Sequence, residues 1–221
     1  MMIRPHKFKT VYTDGPGIFT KNQTPGEKVY GEKLIRGKGK EYRLWNPRRS
    51  KLSAYILKGG GVFPFDKKSI VLYLGAANGT TPSHIADIAL DGQLFCVEFS
   101  SRSFRDLLDV SRGRKQIMPI LGDARNPEEY RAIVGQVDIV YQDVSQRDQV
   151  QIFMKNMEFL RPGGHGFLML KARSVDSTKN PKVLYEDAIS ELTGAGYKLE
   201  TFVELSPFQK DHGAIVVKKR R

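Results

Sequence analysis

Residues 69–88 read SIVLYLGAANGTTPSHIADI, and this stretch decides the fold. An apolar run, Ile70-Val71-Leu72-Tyr73-Leu74, stops in the small residues Gly75-Ala76-Ala77-Asn78-Gly79. Thr80, Thr81 and Pro82 then open a segment whose Ile85, Ile88 and Ala89 recur at helical spacing. The pattern predicts a buried strand, a tight turn and a helix start. Glycine permits close approach of the backbone to a ligand, and the free N–H groups at a helix start favour electron-rich groups. The turn therefore reads as a nucleotide-cofactor site with Gly75, Ala76 and Gly79 in contact. Its spacing is not GxGxxG, so the turn alone does not select the cofactor.

Outward from this unit, strands and helices alternate, which argues for an α/β fold with a mostly parallel sheet covered on both faces. The expected order is strand Gln93 to Phe99, helix Ser103 to Val110, strand Ile117 to Leu121, helix Pro127 to Val134 and strand Val137 to Tyr141. Helix Arg147 to Leu160, strand Gly166 to Leu170 and helix Pro181 to Ala195 follow. Tyr197 to Leu205 and Ala214 to Lys218 have no helix between them and are expected to form an antiparallel hairpin at the sheet edge. Seven strands result. The first 45 residues carry short β-like pieces, His6 to Tyr12, Gly17 to Phe19, Lys28 to Tyr30 and Glu41 to Trp45, divided by turn signals such as Asp14-Gly15-Pro16-Gly17. They predict a small antiparallel β subdomain. Ser50 is placed to cap a short helix that Gly59-Gly60-Gly61 ends. Residues 1–58 are thus expected to form a basic N-terminal β subdomain with its connecting helix, and residues 59–221 the larger domain.

No apolar run approaches the roughly 20 residues that span a bilayer, and MMIRPHKFKT lacks the apolar core of a signal peptide. The single cysteine, Cys96, lies in an apolar run, which excludes an intrachain disulfide and fits a reducing compartment. Four histidines and one cysteine show no metal-site spacing. The net charge of +12 is unevenly spread: residues 1–68 hold 16 Lys+Arg against 5 Asp+Glu, and the remainder 20 against 19. One-sided positive charge points to a polyanion, with nucleic acid as the expected partner.

In an open α/β sheet, ligands sit beyond the carboxyl ends of the strands. Glu98 ends the second strand, 19 positions after Gly79, where an acid accepts hydrogen bonds from the ribose hydroxyls of a nucleoside. Phe99 offers an apolar face for a base. Asp123 after the third run suits an exocyclic adenine amine, and Ala124 leaves room for the ring. The fourth run ends in Gln142-Asp143-Val144-Ser145-Gln146, the fifth in Lys171-Ala172-Arg173. Together these ends describe an adenosine pocket. A dinucleotide needs a pyrophosphate cradle, usually GxGxxG, whereas this turn is GAANGTT and the chain closes in a hairpin. S-adenosyl-L-methionine is therefore the favoured cofactor.

The segments WNPRRSKLSAYIL, VLYLGAANGTTPSHIADI, CVEFSSRSFRDL, GDAR, VDIVYQDVSQ, LKARSVD and PFQKDH occur in consistent order over nearly the whole chain. In these the chain resembles the fibrillarin family, in its shorter archaeal form. The resemblance implies a class I S-adenosylmethionine-dependent methyltransferase fold, Rossmann-like, and 2′-O-methylation of rRNA and tRNA ribose within a box C/D guide ribonucleoprotein. It implies guide and target RNA, a Nop-domain scaffold protein and a kink-turn-binding ribosomal-protein relative as partners. The Gly/Arg-rich extension of the eukaryotic form is not seen, from which an archaeal origin and a cytoplasmic location are expected.

Carried onto matching positions, the resemblance implies cofactor contacts from Thr80 and Thr81 at the methionine end, Glu98 and Phe99 at ribose and base, and Asp123 and Ala124 at the adenine. Asp143, Val144, Ser145 and Gln146 would line the methionine moiety and the transfer site. The implied catalytic group is Lys51, Asp143, Lys171 and His212. Lys171 beside Asp143 would orient the ribose hydroxyl and take its proton when its amine is neutral. Two positions depart from the family pattern: Asn78 stands where a small Ser is more usual, and Gly213 where an aliphatic residue is expected. Arg36, Lys38, Lys40, Arg43, Arg48 and Arg49, with Arg173, are the expected tracks for RNA phosphates. The alternative readings are a protein-glutamine methyltransferase of the same fold, a non-catalytic RNA-binding assembly subunit and, more distantly, a dehydrogenase.

Overall fold

The computed structural model describes residues 3–37 and 39–220. Among the basic residues expected to track RNA, Lys38 lies outside the described residues. Two sheets organise the chain. The first joins β1 (Arg4–Pro5), β2 (Tyr12–Thr13), β3 (Ile18–Lys21), β4 (Leu34–Gly37) and β5 (Lys40–Leu44) in the order β1-β2-β3-β5-β4, with antiparallel pairings throughout. Helix α1 (Lys51–Leu57) follows, and its N-cap Ser50 accepts the Ser53 N–H as the sequence predicts.

The second sheet holds β6 (Ile70–Leu74), β7 (Gln93–Glu98), β8 (Ile117–Leu121), β9 (Val137–Gln142), β10 (Leu160–Lys171), β11 (Lys198–Glu204) and β12 (His212–Lys218). Its order, β11-β12-β10-β9-β6-β7-β8, is parallel from β10 to β8, and the terminal hairpin β11–β12 runs antiparallel beside β10. The expected class I methyltransferase architecture is therefore present, and its strand order reverses between β6 and β9. Helices α2 (Thr80–Ile88) and α3 (Ser101–Arg112) cover one face with α1; α4 (Gln149–Asn156) and α6 (Pro181–Gly194) cover the other, and the short α5 (Ala172–Val175) follows β10.

Side-chain alternation along the buried strands builds two cores. Val71 and Tyr73 of β6, Ile139 and Tyr141 of β9 and Phe167 and Met169 of β10 pack with Leu52, Tyr55, Ile85 and Trp45. Leu72, Leu74, Val140, Leu168 and Leu170 pack with Phe153, Leu184 and Leu192 on the opposite face.

Three local expectations differ. The 127–134 segment forms only a 3-10 turn, Pro127–Glu129, followed by hydrogen-bonded turns. Buried Tyr130 and Val134 stand four apart and mimic a helix period, but the Tyr130 hydroxyl is drawn inward to Asn156 Oδ1 at 2.6 Å, with Gly135 just beyond. Lys28 to Tyr30 is irregular because the N–H groups of Val29 and Tyr30 donate to the Glu32 carboxylate at 2.9–3.1 Å instead of to a neighbouring strand. His6 to Tyr12 is mostly a turn between β1 and β2, closed by His6 N–H to Val11 O at 2.9 Å and Val11 N–H to Phe8 O at 3.0 Å.

Arg43 is a correction of a different kind. It is expected on the RNA-facing surface, yet its side chain is fully buried between the two sheets. Its guanidinium donates to Glu32 at 2.6 Å, to Asp87 of α2 at 2.9 Å and to Ser83 Oγ at 2.9 Å. Thr20 donates to Asp87 at 2.8 Å, and His84 lies between Thr20 and Tyr30 while stacking on Trp45 at 4.9 Å. The charge of Arg43 is thus consumed by internal pairing. Arg43→Ala leaves Glu32 and Asp87 buried without their shared cation. A loss of about 3–5 kcal/mol in unfolding free energy is expected, to be measured by urea denaturation.

Candidate active site

Everything at the site is set by how closely β6 and β9 end beside each other. The Asp143 N–H donates to Leu74 O at 2.9 Å, extending the β6–β9 ladder by one bond. Gly75 then turns at φ +78°, and a Cβ there would lie 2.5 Å from the Asp143 carbonyl oxygen. Only glycine fits. Gly79 takes φ +78° as the N-cap of α2, packed under Leu107 and Val110 of α3.

The strand ends open onto a cleft of about 500 Å³ bordered by Lys51, Tyr73, Gly75 to Asn78, Thr80, Thr81, Asp143 to Ser145, Lys171 and His212. A second lobe of about 240 Å³ shares Gly75, Ala77 and Asp143 to Ser145 with it and adds Glu98, Phe99, Gly122, Ala124 and Gln146. The four residues of the expected catalytic group thus meet in one lobe, and the expected ribose and base contacts in the other.

In the first lobe the N-terminus of α1 delivers Lys51, whose Nζ donates to Asp143 Oδ1 at 2.7 Å with both side chains 19 % exposed. Asp143 was expected beside Lys171; its ion pair is with Lys51. Lys171 ends β10 and pairs in register with His212, the first residue of β12, so strand geometry sets these two side by side. The His212 ring bonds Lys210 O through Nδ1 at 2.7 Å, which leaves Nε2 as its acceptor when neutral. Burial, and then the Lys51 cation, push the His212 pKa below its ordinary value. Asp211 before it takes the left-handed conformation, φ +57°. Its carboxylate accepts from Arg173 at 3.3 Å. Gly213 after it has a physical reason to depart from an aliphatic residue: a Cβ there would lie 2.7 Å from the Phe202 ring and 3.0 Å from Tyr185.

In the second lobe the Glu98 carboxylate holds the turn. Oε2 accepts the Ala77 N–H at 2.7 Å and Oε1 the Ser100 N–H at 2.8 Å, and each oxygen retains capacity for a further hydrogen bond. Phe99 is 66 % exposed at its edge. The Asp123 carboxylate forks onto Arg125 at 2.6–3.1 Å, and this bonding holds it below the usual carboxylate range; its neighbours Gly122 and Ala124, not the carboxylate, border the lobe. The buried Gln146 Oε1 has no hydrogen-bond partner among the described residues, an acceptor suited to a ligand amine. Asn78 Nδ2 donates to Asp106 of α3. Thr80 borders the cleft. Thr81 also borders it, but its hydroxyl donates to Ser50 Oγ at 2.9 Å, so it couples the cofactor turn to the cap of α1.

Sequence reasoning missed Ser50 as this coupling group, Tyr73 as part of the cleft wall, and Gln209, whose Nε2 donates to Pro47 O at 2.8 Å and ties the 205–212 loop to the loop before α1. Only the Gln within PFQKDH gave a signal. Of the expected phosphate contacts, Arg48 and Arg49 are exposed at the cleft rim. Arg173 is exposed beside Asp211. Arg36 and Lys40 are exposed on the far hairpin β4–β5, where Arg36 pairs with Glu41 at 3.1 Å.

A cradle that only glycine fits, an acid at the end of β7 and an amide acceptor without a partner among the described residues suit an adenosyl ligand. A family model described as Fibrillarin matches residues 3–221. A fibrillarin-like rRNA/tRNA 2′-O-methyltransferase of Thermococcus onnurineus is 47 % identical, over 99 % of this chain and 100 % of its own. The solved structure of Aeropyrum pernix fibrillarin with natively bound S-adenosyl-L-methionine superposes with a TM-score of 0.90 at 44 % identity, covering 98 % of both chains. The fibrillarin of a solved fibrillarin/Nop5p complex superposes at 0.87 with 39 % identity, over 96 % of this chain and 98 % of that one. With the family model matched over residues 3–221 and a relative 47 % identical over nearly the whole of both chains, the chain belongs to the fibrillarin family.

Proposed function

We propose that this chain is an S-adenosylmethionine-dependent RNA ribose 2′-O-methyltransferase acting on rRNA and tRNA as the catalytic subunit of a box C/D guide ribonucleoprotein. The observation that carries the proposal is the convergence of Lys51, Asp143, Lys171 and His212 in a lobe that opens directly into an adenosyl-sized one. In the relatives, the names state rRNA/tRNA 2′-O-methylation, bound S-adenosyl-L-methionine and assembly with Nop5p. We assign this chain the corresponding partners: guide and target RNA, a Nop-domain scaffold and a kink-turn-binding protein. We place its work in the cytoplasm; no helix among the described residues is long and apolar enough to cross a membrane. In this reading residues 1–58 are a basic unit set against the methyltransferase domain of residues 59–221.

When bound, the cofactor supplies a methyl group on a sulfonium. A ribose 2′-hydroxyl is a weak nucleophile, so alignment carries much of the rate. Asp143 Oδ1 is engaged by Lys51, and Oδ2 makes no hydrogen bond among the described residues, so it is available to the hydroxyl. Lys171, on the strand between those of Asp143 and His212, orients the hydroxyl and receives its one proton when its amine is neutral, while neutral His212 lines the same lobe without adding a further cation. Arg48, Arg49 and Arg173 hold the flanking phosphates without reading bases, which leaves selection to the guide. A protein-glutamine acceptor would not call for this basic rim.

Lys171→Ala and Asp143→Ala should each lower methyl transfer to guide-matched RNA by roughly 100-fold or more. The assay is the reconstituted particle, with cofactor binding followed by calorimetry. Transfer that survives both substitutions overturns the site assignment, and failure of the wild-type chain to bind the cofactor favours a non-catalytic subunit. Because His212 titrates below its ordinary 6.5, its neutral form persists at neutral pH and is lost only on acidification. Below pH 6.5 the rate should therefore fall more steeply than a single basic group accounts for, and His212→Gln should remove that added steepness. Removing Arg48 and Arg49 together should weaken RNA binding evenly across sequences and reduce the salt slope by about 2, read from titrations at several ionic strengths.

A further inference from the structure

Lys171 stands at an awkward place in the fold. It is the last residue of β10, and the chain turns into α5 immediately after it. On one side β12 supports it through the Lys171–His212 pairing, and the Ala172 N–H donates to Asp211 O at 3.0 Å. On the other side β9 has already ended: the last β9–β10 pair is Gln142 with Leu168, three residues short of Lys171. Both backbone polar groups of Lys171 would face this gap without a strand partner, and buried backbone groups are costly to leave unpaired.

The side chain of Gln149, the first residue of α4, fills the gap. Its Oε1 accepts the Lys171 N–H at 2.9 Å and its Nε2 donates to Lys171 O at 3.1 Å. A primary amide presents the same donor and acceptor pair as a backbone peptide, so Gln149 acts as one residue of a missing strand. It is fully buried, and its own carbonyl is held in turn by Gln142 Nε2 at 2.7 Å, from the end of β9. The chain Gln142–Gln149–Lys171 thus runs from the strand carrying Asp143 to the strand carrying Lys171. It fixes the peptide planes on both sides of the Lys171 Cα, and with them the direction in which the long side chain leaves the backbone.

From this geometry we infer that Gln149 is a positioning residue for methyl transfer: a side-chain peptide mimic that sets the aim of Lys171 relative to Asp143. The inference rests on the catalytic reading of Lys171 given above. Gln149 is fully buried and borders neither lobe of the cleft, so its loss should act on alignment and leave binding intact.

The test uses the reconstituted guide particle and the variants Gln149→Leu, Gln149→Glu and Lys171→Ala. Gln149→Leu keeps the bulk but offers no polar partner. It should lower kcat by roughly 10- to 100-fold, the scale of a small misplacement of a catalytic group, with the KM for RNA and the calorimetric cofactor affinity unchanged. Gln149→Glu provides a readout that a passive filler would not move. Its protonated acid donates to Lys171 O and accepts the Lys171 N–H as the amide does, whereas the carboxylate repels that carbonyl. Its kcat, taken as a ratio to wild type, should therefore rise as pH falls through the pKa of the new acid, which burial raises. Should Gln149→Leu fail to fold, the Gln149→Glu ratio decides: a ratio flat with pH overturns the inference. Wild-type kcat in Gln149→Leu, with Lys171→Ala inactive, overturns the role of Gln149 and leaves the site reading standing. Full transfer by Lys171→Ala overturns both.

Discussion

The contact between Gly75 and the backbone of Asp143 is the constraint on which the rest of the site depends. Two parallel strands that end side by side ordinarily leave their next residues free to splay apart. Here the Asp143 N–H continues the ladder to Leu74, and the absence of a side chain at Gly75 lets the cofactor turn lie directly on the Asp143 carbonyl. The turn, held from its other side by Glu98 through the Ala77 N–H, becomes the shared wall of both lobes of the cleft. Asp143 is thereby fixed at the boundary between the two lobes, which the proposed function assigns to the methyl donor and the ribose hydroxyl.

A second constraint brings Lys51 to that boundary across 92 positions of sequence. Helix α1 is anchored at its start by Ser50, whose hydroxyl receives both Trp45 Nε1–H and the Thr81 hydroxyl at 2.9 Å. Behind it, Arg43 joins β5 to Glu32 and to Asp87 of α2. A buried charge cluster of this kind adds little net stability over a well-packed apolar core, but it tolerates the loss of no single member. Its effect is to permit one alignment of the N-terminal sheet on α2, so the aim of Lys51 is inherited from that alignment. The basic character of the N-terminal third consequently divides in two. Arg43 is structural, whereas Arg48 and Arg49 at the cleft rim remain open to solvent.

The C-terminal hairpin completes the lobe that holds Lys51 and Lys171 by the same logic of strand registry. An antiparallel strand added beside β10 sets His212 opposite Lys171, and Gln209 closes its loop onto Pro47. Three segments far apart in sequence are thus referenced to one another through backbone geometry.

By itself the sequence determined the alternation of strands and helices, the tight turn at 75–79 and the cap at Ser50, because each depends on local rules of periodicity, capping and turn chemistry. The motif set LKARSVD, VDIVYQDVSQ and PFQKDH likewise marked Lys171, Asp143 and His212 before their proximity was known. Periodicity erred where a specific side-chain partner overrode it. Tyr130, drawn to Asn156, cut short a predicted helix, and the Glu32 carboxylate claimed the N–H groups of a predicted strand at 28–30. Only the tertiary structure decided that Asp143 pairs with Lys51, that Arg43 is buried and that Gln149 stands in for a missing strand. Charge and amide partners are chosen by which groups the packed sheets bring within about 3 Å of one another, and no spacing along the chain encodes that distance.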